Sequence, residues 1–279
     1  MRQNISPIYI VTGATGGIGK EIARALASQG RAVMLACRNA AKAENLRAEL
    51  AAAGSGETLV GELSLDSAKS VKNFAAMVEA TGRPIAALIH NAGTMERRRQ
   101  VTADGFERTL AVNFLAPAAL TLRLLPQVAD GGVITFTTSV TRRLHSLKEP
   151  ILDEPESRFS QLGTYGRTKL ALTHFAAHIA QLPSVKERHI RVACADPGIV
   201  NTSMISMSRW YDPIADILFR PLISKPATGA KATLRAIGSD LTAHLFTPNG
   251  KPKPIDKALR RGDIPLRPAL IAATLKVLS

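Results

Sequence analysis

The chain has 279 residues, 46% of them hydrophobic and 4% aromatic, which is enough apolar material for one large α/β core and too much for a disordered chain. Its formal charge of +14 favours an anionic partner (a phosphorylated cofactor, a membrane surface or nucleic acid), unless it is an ordinary solvated basic surface. With no RNA-binding motif, no zinc spacing and no basic run interleaved with aromatics, nucleic acid has only the charge behind it and is not expected as a partner.

The N-terminus "MRQNISPIYIVTGATG" lacks the apolar stretch of a signal peptide. No segment has the ~18 uninterrupted apolar residues of a membrane span. A cytoplasmic, soluble chain is expected, with at most weak peripheral membrane contact. "IYIVT" is a β-branched strand running into glycines, and "KEIARALASQG" is a helix that stops at Gly30. "RAVMLAC" and "AKAENLRAELAAAG" repeat that strand–helix pair. So do "ETLVGEL" and "SAKSVKNFAAMVEATG", with Asp66 or Ser67 as cap. "IAALIHNAG" is a fourth strand, followed by one long helix in "GFERTLAVNFLAPAALTLRLLPQV". "GGVITFTTS" is a fifth strand, "TYGRTKLALTHFAAHIAQL" a helix and "IRVACADPG" a sixth strand. Cys37 and Cys194 sit in apolar runs and read as buried thiols rather than a disulfide or metal pair.

Continuously apolar strands alternating with helices mean a parallel sheet covered on both faces. The expected fold is a single-domain, Rossmann-like doubly wound α/β sheet over 1–279. It carries a surface insert at 141–160 and an apolar stretch at 203–226. "RPALIAATLKVLS" ends the chain as a short helix with Pro268 in its first turn.

"VTGATGGIGK" joins the first strand to the first helix, with Gly13, Gly17 and Gly19 spaced G-x3-G-x-G. Glycines there permit a tight turn, let backbone amides approach a pyrophosphate and let helix and strand pack closely. Arg38 stands where an NAD-preferring fold usually carries an acid. A guanidinium suits a 2′-phosphate, so NADP(H) is expected over NAD(H), with an ordinary surface arginine as the alternative. Ser139 ends the fifth strand, at the sheet edge where ligands bind. Asn113 is a polar amide in an apolar helix, either a bent or capped position or a functional group. Tyr165 and Lys169, four residues apart, lie on one helical face with the ammonium beside the phenol. They are a surface pair or a phenol tuned by a fixed charge.

These pieces, in order, resemble the short-chain dehydrogenase/reductase family: Thr12-Gly13-x3-Gly17-Ile18-Gly19, Asn91-Ala92-Gly93, Asn113, Ser139, Tyr165-x3-Lys169 and Pro197-Gly198-x3-Thr202. The gap from Ser139 to Tyr165, the "ACRN" strand end and "PATGAKATL" look most like its retinol-dehydrogenase-like branch and bacterial relatives. The resemblance implies an NADP(H)-dependent interconversion of an alcohol with an aldehyde or ketone. Tyr165 is then the acid/base, with its pKa lowered by Lys169. Lys169 bonds the nicotinamide ribose, Ser139 the substrate oxygen, and Asn113 holds a water leading to Lys169.

The resemblance also puts Gly13, Thr15, Gly16, Gly17, Ile18, Gly19, Arg38, Ser64, Leu65, Asn91, Ala92, Gly93, Pro197, Gly198, Val200 and Thr202 around the cofactor, with Tyr165 and Lys169. Thr202 is otherwise a helix cap. Ser64 stands where the family often has an Asp for the adenine, and Asp196 has no account. Residues 203–226 become a lid, whose apolar content suggests a lipophilic substrate. Plain packing or membrane contact through Arg209 and Arg220 are the alternatives. His145, a lone loop histidine, is not expected to be catalytic. A homo-oligomer is compatible with the sequence. The competing function is a non-catalytic NADP(H)-binding sensor or scaffold, for which an intact Asn113–Ser139–Tyr165–Lys169 set has no use.

Overall fold

Short aliphatic runs in this chain become strands because both of their faces are covered. In β1 (Ile8–Thr12), neighbours Ile10 and Val11 are both fully buried and point to opposite sides. The same alternation runs through Leu88 and Ile89 of β4 (Ile85–His90). The computed structural model describes residues 6–147, 152, 156–198 and 225–278.

Eight strands form one sheet in the order β3-β2-β1-β4-β5-β6-β7-β8. β2 is Ala32–Cys37, β3 Thr58–Glu62, β5 Val128–Thr137, β6 Arg191–Ala195 and β7 His244–Phe246. All of these pair in parallel. The two-residue β8, Lys253–Pro254, pairs antiparallel to β7 and closes the edge. The expected parallel sheet is therefore present, with this short antiparallel addition. Sequence order reverses between β1 and β4, which opens a crevice beyond their carboxyl ends.

Helices α1 (Gly17–Ala27) and α2 (Ala40–Ala52) lie on one face with α8 (Pro226–Ile237), which packs on α1. α1 buries Ile22, Ala23, Leu26 and Ala27, a helical stripe. The opposite face carries α3 (Ala68–Ala80), α4 (Arg108–Leu110), α5 (Ala116–Leu124) and α6 (Gln161–Ile179). A short α7 (Pro183–Glu187) precedes β6, and the terminal α9 (Arg267–Leu278) packs on α6. Ser67 caps α3 through its hydroxyl, accepting from the Ser70 amide, while Asp66 makes other contacts.

The single long helix expected after β4 is interrupted. A π turn, Ala111–Leu115, joins α4 to α5 and has Asn113 at its middle. Inserting one residue into the helical ladder re-aims the side chain there. The helical run Arg108–Gln127 has 20 residues, and an 18-residue window of it has a mean hydropathy of 1.4, long and apolar enough to cross a bilayer although Asn113 and Arg123 interrupt it. Its apolar stretch is 61% buried inside the fold.

Val200 and Thr202 lie outside the described residues, as does all of the 203–226 stretch except its last two residues. The 141–160 insert is described in part, including the 3-10 turn Val140–Leu144.

Candidate active site

The crevice at the strand reversal holds a cleft of about 380 Å³. Thr12 ends β1, and its hydroxyl accepts from the Asn91 and Ala92 amides, both at 3.0 Å. The Asn91 side chain donates back to the Thr12 carbonyl at 3.0 Å. These bonds lock the exits of β1 and β4 together. Gly13 turns with φ +65°, a conformation that disfavours any side chain. At Gly19 a Cβ would come within 2.2 Å of the Gly13 carbonyl oxygen and 2.7 Å of Asn91 Nδ2, so only glycine lets α1 approach the loop this closely.

At Gly16 the requirement is different. A Cβ would meet the protein no closer than 3.4 Å, at the Gly13 oxygen. Packing does not demand glycine there, but keeping the start of α1 uncovered does. No side chain caps α1, and its N-terminus opens onto the cleft. Uncapped amides and a positive helix end fit a pyrophosphate.

Thr15, Gly17, Ile18, Arg38, Leu65, Asn91, Ala92 and Gly93 also line this cleft. Ser64 does not join them. Its hydroxyl donates to Asp66 at 2.5 Å, and Asp66, held by Arg108 at 3.2 Å, forms the wall instead. Asn39, Lys42 and Arg108 are further lining residues that sequence reading missed. Lys42 was findable: it is a second cation four residues after Arg38, in the first turn of α2. Its own backbone amide is held by the Asn39 side chain at 2.8 Å.

The second group of residues lies further along the same carboxyl edge, at the exits of β5 and β6. Ser139 follows β5, and its hydroxyl accepts from the Thr141 hydroxyl at 3.0 Å. α6 starts at Ser160, whose hydroxyl caps it on the Gly163 amide. Tyr165 and Lys169 share a face of this helix, with Lys169 Nζ 5.7 Å from the Tyr165 ring centre. Thr138 and Thr173 staple the helix to the strand end. Their hydroxyls are 2.9 Å apart, and Thr173 donates to the Lys169 carbonyl at 2.7 Å.

Lys169 is buried and donates to the Thr137 carbonyl at 2.8 Å. Asn113, expected to hold a water, has its amide engaged elsewhere. It accepts from the Thr94 amide at 2.8 Å, donates to the Thr94 carbonyl at 2.8 Å and reaches the Thr168 hydroxyl at 3.2 Å. It thus joins Thr94 of the cleft to the helix that carries Tyr165 and Lys169.

Electrostatics depart from the sequence expectation. Burial pushes the Tyr165 phenol up to about 12, against a downward pull from its hydrogen bond to Ser139. Lys169 does not lower it here: burial instead brings the ammonium down to about 8. Desolvation is the largest influence on each group, and the Nζ faces a carbonyl. Cys37 and Cys194 are buried thiols, and burial takes Cys194 to about 12. Asp196, left without a role by sequence, forms a buried ion pair with Arg142 at 2.6 Å.

A family description, short chain dehydrogenase, matches residues 7–211. Mouse (Mus musculus) polyprenol dehydrogenase is 34% identical over 213 residues, covering 73% of this chain and 62% of that protein. Human (Homo sapiens) retinol dehydrogenase 12 is 32% identical over 229 residues, covering 81% of this chain and 72% of that protein. A crystal structure of an uncharacterized protein from Mycobacterium Paratuberculosis superposes with a TM-score of 0.77 at 25% identity, covering 99% of this chain and 96% of that one.

Proposed function

The chain belongs to the short-chain dehydrogenase/reductase family and is an NAD(P)-dependent oxidoreductase; from that premise we propose that it interconverts a lipophilic alcohol and its aldehyde or ketone, using NADP(H) in preference to NAD(H). The observation that carries the reading is Lys169 one turn behind Tyr165, its Nζ 5.7 Å from the Tyr165 ring centre and bonded to the Thr137 carbonyl at the carboxyl edge of β5, where Ser139 follows.

When bound, the nicotinamide supplies the hydride acceptor or donor. Tyr165 gives its phenolic proton to the carbonyl oxygen in reduction and takes it back in oxidation. Ser139 orients that oxygen and donates to it as negative charge develops. Lys169 presents a cation behind the phenol and, with the Thr137 carbonyl holding its Nζ, keeps a fixed direction. Asn113 keeps Thr94 at the correct distance from α6. At the other end Arg38 and Lys42 offer two cations to a 2′-phosphate, while Asp66, a carboxylate in the same lining, is engaged by Ser64 and Arg108.

The lipophilic class is supported by the relatives named for polyprenol and retinol and by the apolar 203–226 stretch. We read 1–279 as one folding unit, with that stretch covering the substrate. We place it in the cytoplasm with at most peripheral membrane contact. Salt-sensitive co-sedimentation with anionic vesicles would be the sign of that contact.

The test is Tyr165→Phe assayed with NADPH against a panel of aldehydes and ketones from small and polar to long-chain. Turnover should fall by about 10²–10⁴ while NADPH affinity is kept. A variant that retains most of its rate rules out the acid/base role.

A further inference from the structure

Arg142 is 1% exposed, an unusual place for a guanidinium. It lies in the turn Val140–Leu144, three residues after Ser139, and its Nη1 donates to the Ser139 carbonyl at 2.6 Å. The same Nη1 donates to Asp196 Oδ2 at 2.6 Å. Asp196, 5% exposed, accepts from the Gly198 amide at 3.1 Å through its other oxygen. One buried pair therefore ties the exit of β5, with its serine, to the Asp196–Pro197–Gly198 turn at the exit of β6. Such a pair is a poor device for stability, because desolvating two charges offsets most of their attraction.

Other groups face this corner from several elements. Tyr165 and Lys169 come from α6, and Cys194 comes from β6 as a neutral thiol. His145 lies against the helix, its ring filling the space that a Gly166 Cβ would take, with Arg167 and Arg260 nearby. After burial and the Ser139 bond, the Asp196 carboxylate is the remaining influence on Tyr165, and it raises the phenol. It also favours the charged form of Lys169.

We propose that Arg142 and Asp196 are positioning residues for the reaction. The pair holds Ser139 and the Pro197–Gly198 turn in fixed relation, and the Arg142 guanidinium offsets part of the carboxylate's field at Tyr165. This rests on the reading of Tyr165 and Ser139 as the reacting groups. Removing Arg142 leaves a bare carboxylate that disfavours phenolate. Removing Asp196 leaves a bare guanidinium that favours it.

The experiment compares the parent with Arg142→Met, Asp196→Asn, the double variant and Arg142→Lys. It follows kcat/KM for 1-decanol oxidation by NADP⁺ across pH, with NADP⁺ affinity measured by calorimetry. Oxidation needs the phenolate, so the rate rises with pH through the Tyr165 ionisation. Arg142→Met should move that limb up by about one unit and Asp196→Asn should move it down by about one. The double variant should return towards the parent. Arg142→Lys keeps the charge but loses the planar fork, so its limb should stay put while kcat falls roughly tenfold. NADP⁺ affinity should change less than about threefold throughout.

A readout independent of turnover is phenolate absorbance of the ligand-free protein, with Tyr165→Phe subtracted. Asp196→Asn should titrate lower than the parent. If Arg142→Met does not fold by circular dichroism, this titration and the Arg142→Lys profile decide. Coincident limbs and coincident phenolate titrations overturn the proposal. An active Tyr165→Phe instead overturns the acid/base reading beneath it, so the two failures are told apart.

Discussion

The phosphate end of the cleft is built from backbone: a loop whose Gly13 turns with positive φ, a glycine packed under 3 Å from its neighbours if given a Cβ, and an uncapped helix start. The hydride end is built from buried charge: Lys169, Arg142 and Asp196 are each at most 5% exposed and face Tyr165 and Ser139. Under the proposed function, the first end recognises an anion by shape and by amides that cannot titrate, and the second moves a proton with groups whose ionisation depends on their surroundings. Substitutions at the first should act sterically and on affinity. Substitutions at the second should act on rate and pH dependence.

The sharpest break in that division would come from Lys169→Leu. It removes the cation behind Tyr165 and leaves the Thr137 carbonyl without its donor. We expect turnover to drop by about 10²–10⁴, with NADPH affinity, measured by calorimetry, lowered far less. A variant that loses binding and keeps its chemical rate would show that the two ends are not separable. Gly19→Ala is the counterpart at the phosphate end. The new Cβ lies 2.2 Å from the Gly13 oxygen, a backbone atom that cannot swing away. The expected cost is about 1–3 kcal/mol of stability, read by urea unfolding, with NADPH binding weakened. A melting curve and affinity matching the parent would mean the loop is looser than described.

A smaller effect is expected from Arg38→Leu, which should leave kcat with saturating NADPH nearly unchanged. It should reduce the NADPH-over-NADH preference by about 10- to 100-fold in kcat/KM, the range of one charged hydrogen bond. An unaltered preference would point to Lys42 or Arg108. His90→Phe should change turnover least. His90 is buried at the end of β4, stacked on Phe136 at 4.9 Å and 2.8 Å from the Thr121 hydroxyl. Burial lowers its pKa from 6.5 to about 3. Between those values the unfolded chain binds the extra proton and the folded one does not. His90 therefore stabilises the fold fully above about 6.5, and this is lost as pH falls towards about 3. The phenylalanine variant should lose less stability than the parent between neutral and acid pH. Identical acid slopes would assign the effect to His174, also lowered by burial, to about 4.

The alternating architecture was legible because strands covered on both faces are apolar throughout, as "AVMLAC" of β2 is fully buried. The two halves of the site were legible unequally. Backbone-built recognition leaves a trace in sequence, since glycines at Gly13 and Gly19 have no substitute. Buried charge leaves little: Arg142 lies in a polar stretch with Arg143 and reads as surface, yet one is buried and the other exposed. The break in the helix at Asn113 was visible only as one alternative, a bent position marked by a polar amide, because nothing in "LAVNFL" specifies a π turn.

What the sequence determined by itself is what depends on local chemistry. It gave the strand–helix order, the glycine turn, and the one-turn spacing that puts Tyr165 and Lys169 on one face of α6. Tertiary structure alone decided what each charged group faces. Asn113 was turned to Thr94, Lys169 to the Thr137 carbonyl, and Asp196 to an arginine 54 residues away. The reason is physical: a hydrogen bond or a desolvation cost belongs to a place in the folded core, and that place is made by segments far apart in the chain.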